Sequence, residues 1–108
     1  MSFRAVLKDE LLWEGEMTRV EADGMAVLLV RVDGRVYAYR DACEHKGMPL
    51  SQGSLDGRLL TCGAHHWCYD VVSGRGVNPE SACLRRVPVR VSGDTIEIDA
   101  AARSQTLP

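Results

Sequence analysis

Four side chains able to bind a soft or borderline metal fall in two short clusters, Cys43-x-His45 and Cys62-x-x-His65, with sixteen residues between them. They use two of the four cysteines and two of the three histidines in the chain. The order within the clusters is informative. A structural zinc site more usually reads as a Cys pair followed by a His pair. Here each cluster carries one Cys and one His, so a shared centre would draw one thiolate and one imidazole from each loop. That set suits a two-iron, two-sulfide cluster with both thiolates on one iron and both imidazoles on the other. A zinc-binding structural module would use the same four ligands and would be colourless.

Two neutral imidazoles in place of two thiolates lower the negative charge around one iron and make it easier to reduce. Rieske centres of this kind lie at roughly −150 to +300 mV, against about −400 mV for the all-cysteine plant-type cluster. The imidazole nitrogen that does not bind iron is left to couple proton binding to redox state. Gly47, Gly53 and Gly63 stand beside the clusters, where the backbone must approach the sulfides closely or simply turn. No Ser/His/Asp set stands apart from the motif, because every histidine is in it or beside it. No G-x-G-x-x-G or phosphate loop is present, so neither flavin nor nicotinamide binding is indicated. The acidic residues are scattered, as on a solvated surface. With no catalytic residues to name, the residues read as an electron carrier and not an enzyme.

The elements that must position this motif are short strands. MTRVEA (17–22), MAVLLVRV (25–32) and RVYAYR (35–40) are joined by Asp23-Gly24 and Asp33-Gly34, the pair favoured in type I′ hairpins because both central residues need positive φ. Val87, Val89 and Val91 alternate with Arg86 and Arg90, and Ile96 and Ile98 with Glu97 and Asp99. A hairpin turning at Ser92-Gly93-Asp94 would put the aliphatics on one face and opposed charges on the other. LKDELL (7–12) alone looks helical. From Ala42 to about Val72 the rhythm breaks into turn formers, with a further Asp-Gly hairpin in LDGRLLTC. SGRGVNPESAC (73–83) offers no strand of its own and is expected to fold back over this insertion. Residues Ser104 to Pro108 are expected to fray.

The expectation is one all-β domain over 1–108, an antiparallel sandwich or barrel. Its base would be 1–41 and 73–108, with a loop-rich, cluster-binding subdomain over 42–72. A length of 108 residues suits one domain, and 45% hydrophobic with 26% charged residues is ordinary for a globular protein. A formal charge of −2 argues against a strongly basic nucleic-acid binder. No apolar run approaches the roughly 20 residues of a membrane span. The opening MSFRAVLKDELLWEGE lacks the apolar stretch of a secretory signal, so a cytoplasmic protein is expected. In that compartment a Cys68–Cys83 disulfide is not expected; both read as buried thiols acting as small hydrophobes.

CEHKGMPLSQGSLDGRLLTCGAHHWCYD follows the two cluster-binding loops of the Rieske ferredoxin family in order and spacing. The chain resembles that family over nearly its whole length. It is most similar to the small ferredoxins of toluene and related aromatic or alkene monooxygenases, through LLWEGEM, CGAHHW and GVNPESACLRRVPVRVSGD. The resemblance implies one Rieske-type [2Fe–2S] cluster, with Cys43 and Cys62 on the inner iron and His45 and His65 on the outer. Pro79 matches the proline of a third loop that covers the cluster. The implied partners are an NADH-dependent flavin/iron–sulfur reductase, which gives single electrons, and a di-iron hydroxylase, which takes them. A monomer with no membrane or nucleic-acid partner is expected.

High-potential respiratory relatives carry a disulfide where this chain has Met48 and Ala64, and a serine where it has Trp67; both differences favour a low-potential carrier. Tyr69 either donates its hydroxyl to a cluster sulfur or packs as a core ring. His66 stands where the family usually has Gly or an apolar residue, and reads as an exposed polar residue in preference to a ligand. Met48, Pro49 and Trp67 form a small apolar patch suited to docking, unless Trp67 is buried against the subdomain core. The alternatives are the ferredoxin of an aromatic-ring dioxygenase, which more often reads CPWHG in the second loop, a small Rieske-like subunit bound permanently in an enzyme, and the zinc module.

Overall fold

The computed structural model describes residues 3–43, 48–63 and 66–100. Ten strands form three antiparallel sheets, and among these residues there is no α-helix. β1 (Arg4–Lys8), β10 (Thr95–Ile98) and β9 (Val89–Ser92) make the first sheet, in that order. β2 (Met17–Ala22), β3 (Met25–Val32) and β4 (Arg35–Arg40) make the second. β5 (Ser54–Asp56), β6 (Leu59–Thr61), β7 (Cys68–Asp70) and β8 (Gly76–Asn78) make the third.

The second sheet is the middle layer, which explains the nearly continuous apolar run of β3. Val27 and Leu29 face one core, with Leu12, Ala38, Val87, Ile96 and Ile98. Leu28, Val30 and Val32 face another, with Tyr39, Leu50, Leu60, Tyr69, Val71 and Leu84. A strand with both faces buried has no polar face to alternate with. Its two hairpins turn as the Asp-Gly pairs require, with φ of 53° and 78° at Asp23 and Gly24 and 54° and 77° at Asp33 and Gly34. In the β9–β10 hairpin Ile96 faces Val91 and Ile98 faces Val89, while Arg90 opposes Glu97 and pairs with it at 2.6 Å.

Three local expectations need correction. Residues 7–12 are not helical: β1 runs through Lys8 and only a 3-10 turn, Asp9–Leu11, follows. Six residues close too few i→i+4 bonds to hold a helix, whereas β1 gains a ladder with β10. The Arg31 guanidinium then takes the Leu12 carbonyl at 2.7 Å and the Asp9 carbonyl and carboxylate. The 73–83 segment does contain a strand, β8, which pairs with β7 and extends the third sheet past Val72. The turn of LDGRLLTC centres on Gly57-Arg58, since Asp56 and Leu59 are already paired; with φ +63° at Gly57, glycine takes the first central position that a type II′ turn reserves for it. Residues Ser104 to Pro108 lie outside the described residues.

Candidate metal centre

Cys43 follows β4 and Cys62 follows β6, and both are buried, 3% and 1% exposed, in the core that the middle sheet shares with the third sheet. Their loops close in the same way. Cys43 N–H donates to the Met48 carbonyl at 2.7 Å, and Cys62 N–H donates to the Trp67 carbonyl at 2.7 Å. Each cysteine therefore begins a tight loop whose fifth following residue returns to it. His45 and His65 fall within those loops and lie outside the described residues, as do Gly47 and Ala64.

Tyr69, in the middle of β7, is fully buried and its hydroxyl lies 3.3 Å from Cys43 Sγ. The ring packs in the core, as one of the two sequence readings has it, and its polar end lies beside the sulfur of Cys43. His66 is exposed, as expected, and its φ is +59°. That left-handed backbone costs a side-chain-bearing residue and suits glycine, which accounts for the glycine usual there. Gly53 is needed for a different reason from the one expected. A Cβ there would lie 2.1 Å from the Thr61 carbonyl oxygen, so the glycine lets the first loop's exit pack on the strand leading to Cys62.

Trp67 is half-buried against the core below the second loop, so part of its ring stays exposed. Met48, 42% exposed, and half-buried Pro49 line a shallow depression together with Gln52 and Gly63. Asn78 pairs with Cys68, so Pro79 comes at the end of the third sheet where the second loop runs. The turn beyond it folds back over Gly76, whose N–H donates to the Ala82 carbonyl at 2.7 Å. Cys68 and Cys83 are half-buried, not buried as expected, and form no disulfide. Cys68 Sγ sits 3.4 Å from the His66 carbonyl, a weak polar contact at the surface of the loop.

The third sheet is fixed to the middle one by Tyr39 and Arg86. The Tyr39 hydroxyl donates to the Val71 carbonyl at 2.6 Å, and Arg86 Nη2 donates to the Ser73 carbonyl at 3.0 Å, with its guanidinium 5.5 Å from the Tyr39 ring. Burial pushes the Tyr39 phenol up to about 12, against a smaller opposing pull from Arg86. Gly74, with φ +80°, passes close to both side chains.

Two buried cysteines stand at the mouths of matching loops, one with a phenol at its sulfur, and their thiolates could serve as donors to a soft metal. Residues 2–88 match the Rieske [2Fe-2S] domain. The chain belongs to that family. It is 40% identical over 89 residues to the ferredoxin component of the alkene monooxygenase system of Xanthobacter autotrophicus, covering 81% of this chain and 72% of that one. It is 32% identical over 87 residues to the naphthalene 1,2-dioxygenase ferredoxin of Pseudomonas aeruginosa, covering 80% and 84%. The ferredoxin of carbazole 1,9a-dioxygenase from Nocardioides aromaticivorans superposes with a TM-score of 0.82 at 27% identity, over 91% of this chain and 97% of that one.

Membership of the Rieske family makes the cofactor one [2Fe–2S] cluster and displaces the zinc module. The chain is a Rieske ferredoxin, an electron carrier of oxygenase systems and not a catalytic component. Among the described residues no helix is long and apolar enough to cross a membrane. Sequence reasoning missed Asp41, whose buried carboxylate accepts both the N–H and the hydroxyl of Ser51. An acid two residues before a cysteine carries no periodic signal that would mark it.

Proposed function

We propose that Cys43, His45, Cys62 and His65 hold the cluster, the thiolates on the inner iron and the imidazoles on the outer. The observation that carries this reading is the matched closure of the two cysteine loops over one shared core. When bound, the cluster takes up and returns one electron. The buried cysteines keep water from the inner side, Tyr69 offers a hydrogen bond at Cys43 Sγ, and the partly exposed Trp67, Met48 and Pro49 flank the loops with apolar surface. The domain spans 1–108, with its base in 1–41 and 73–108 and a cluster-binding subdomain over 42–72 that borrows β8 for its sheet. The test is to replace each cysteine by serine and count iron and sulfide. Cys43→Ser and Cys62→Ser should lose the cluster, and Cys68→Ser and Cys83→Ser should keep it. A normal cluster in Cys43→Ser would overturn the assignment.

The carrier takes electrons from an NADH-dependent flavin/iron–sulfur reductase and delivers them, as a cytoplasmic monomer, to the di-iron hydroxylase of a toluene-type monooxygenase. The 40% identity to an alkene monooxygenase ferredoxin supports that partner. The second reading, delivery to an aromatic-ring dioxygenase, is supported by the naphthalene dioxygenase relative at 32% identity. Reconstituted turnover with each class of oxygenase separates them, since the productive pair consumes NADH in step with product.

A further inference from the structure

Asp41 stands where β4 gives way to the first cysteine loop, and its side chain is wholly buried. Oδ1 accepts Ser51 N–H at 2.8 Å and Oδ2 accepts the Ser51 hydroxyl at 2.6 Å. Arg19 Nη1, from β2, is 3.5 Å from Oδ2, and Asp41 N–H donates to the Ala26 carbonyl on β3 at 3.0 Å. A carboxylate is costly to bury unless its oxygens are satisfied, and here they are satisfied by groups that tie the start of the loop to its end. Residues 42–50 are thereby closed at both stems, outside the inner closure of Cys43 on Met48.

The captured turn, Leu50–Gln52, is also what separates the two cysteine loops. A Cβ on Gly53 would meet the Thr61 carbonyl at 2.1 Å, immediately before Cys62. A Cβ on Gly63, immediately after it, would lie 3.4 Å from the Gln52 carbonyl. The turn is wedged against the second loop on both sides of Cys62, so moving Ser51 moves one cysteine relative to the other. We propose that Asp41 is a positioning residue that sets the spacing of the two cysteine loops for the cluster, an inference that rests on the ligand assignment above.

The experiment compares Asp41→Ala and Asp41→Asn in the cluster-loaded chain, following bleaching in excess iron chelator and the EPR spectrum of the reduced protein. Groups that orient metal ligands typically change metal affinity by about 10–100-fold. Asp41→Ala should therefore bleach at least about ten-fold faster than wild type and broaden the EPR signal. Asp41→Asn keeps an acceptor for Ser51 N–H and a donor for its hydroxyl, and should stay within about two-fold of wild type. Ile98→Val, in the core on the far face of the middle sheet, lowers thermal stability and should leave both readouts unchanged. If Asp41→Ala does not fold, Ser51→Ala takes its place, with bleaching about three-fold faster expected from loss of one bond. Wild-type bleaching and EPR in the alanine variant, or an equal change in Ile98→Val, would overturn the proposal. A Cys43→Ser chain that keeps its cluster would instead overturn the ligand assignment, so the two failures are distinguishable.

Discussion

The Tyr69 hydroxyl lies 3.3 Å from Cys43 Sγ at the end of a fully buried ring. A thiolate bound to iron has no proton to give, so in the loaded protein the phenol is the donor. Its hydrogen bond strengthens as negative charge accumulates on reduction, and a bond that favours the reduced state raises the potential. Tyr69→Phe is expected to lower the midpoint potential while the iron and sulfide content stays normal, as read by an EPR-monitored redox titration. An unchanged potential would leave the residue as packing alone. The motif cysteines were legible because their spacing is a chemical requirement. Asp41 was not, because its importance comes from which backbone group the fold brings to it.

At the scale of elements, β2, β3 and β4 begin and end where the sequence reading put them, since Asp-Gly pairs and alternating side chains are local signals. β1 and β8 escaped it. Both are short edge strands whose ladders carry a register shift, β1 on β10, which is distant in sequence, and β8 on the neighbouring β7, so neither shows the regular alternation of a tight hairpin. The β7–β8 connection depends on Asp70, which accepts Val72 N–H at 2.8 Å and holds Arg58 at 2.8 Å. Burial works to raise its pKa, but the Arg58 and backbone hydrogen bonds outweigh that and hold it below the usual carboxylate value of 3.8. A lowered folded pKa means that the stability it contributes is present above about pH 4 and is lost as pH falls from there through the folded value. Asp70→Asn should be less stable than wild type at neutral pH, with the difference shrinking below about pH 4. Urea unfolding midpoints measured against pH check this, and a pH-independent difference would remove Asp70 from the acid response.

At the scale of the molecule, the first cysteine loop leaves the middle sheet where β4 runs into Cys43 and the second leaves the third sheet where β6 runs into Cys62, and Met48 and Trp67, each in part exposed, flank them. Transient redox complexes bury less than about 1,200 Å² in total, so a few contacts dominate. Trp67→Ala is expected to keep the visible spectrum and to slow electron delivery to the oxygenase several-fold. Because the ring is half-buried, the variant should also lose about 1–2 kcal/mol of stability. Stopped-flow reoxidation of the ferredoxin by the oxygenase separates the effects. Loss of stability with an unchanged delivery rate would place docking elsewhere.

The other tryptophan lies at the opposite end of the middle sheet. Trp13 is 70% exposed, with its indole N–H on the Glu10 carbonyl at 3.0 Å. Its segment is clamped to the Asp33-Gly34 turn by Glu14, whose carboxylate accepts both turn N–H groups at 2.6 and 2.8 Å. The chain therefore carries two fluorophores in unlike surroundings, one in water on the base and one half-sheltered in a cysteine loop. Acrylamide should quench Trp13 first. Cluster loss should brighten and shift the emission of Trp67, while Trp13 reports only on unfolding of the base. In Trp13→Phe, the residual emission would then follow assembly of the metal centre in real time, with no label attached.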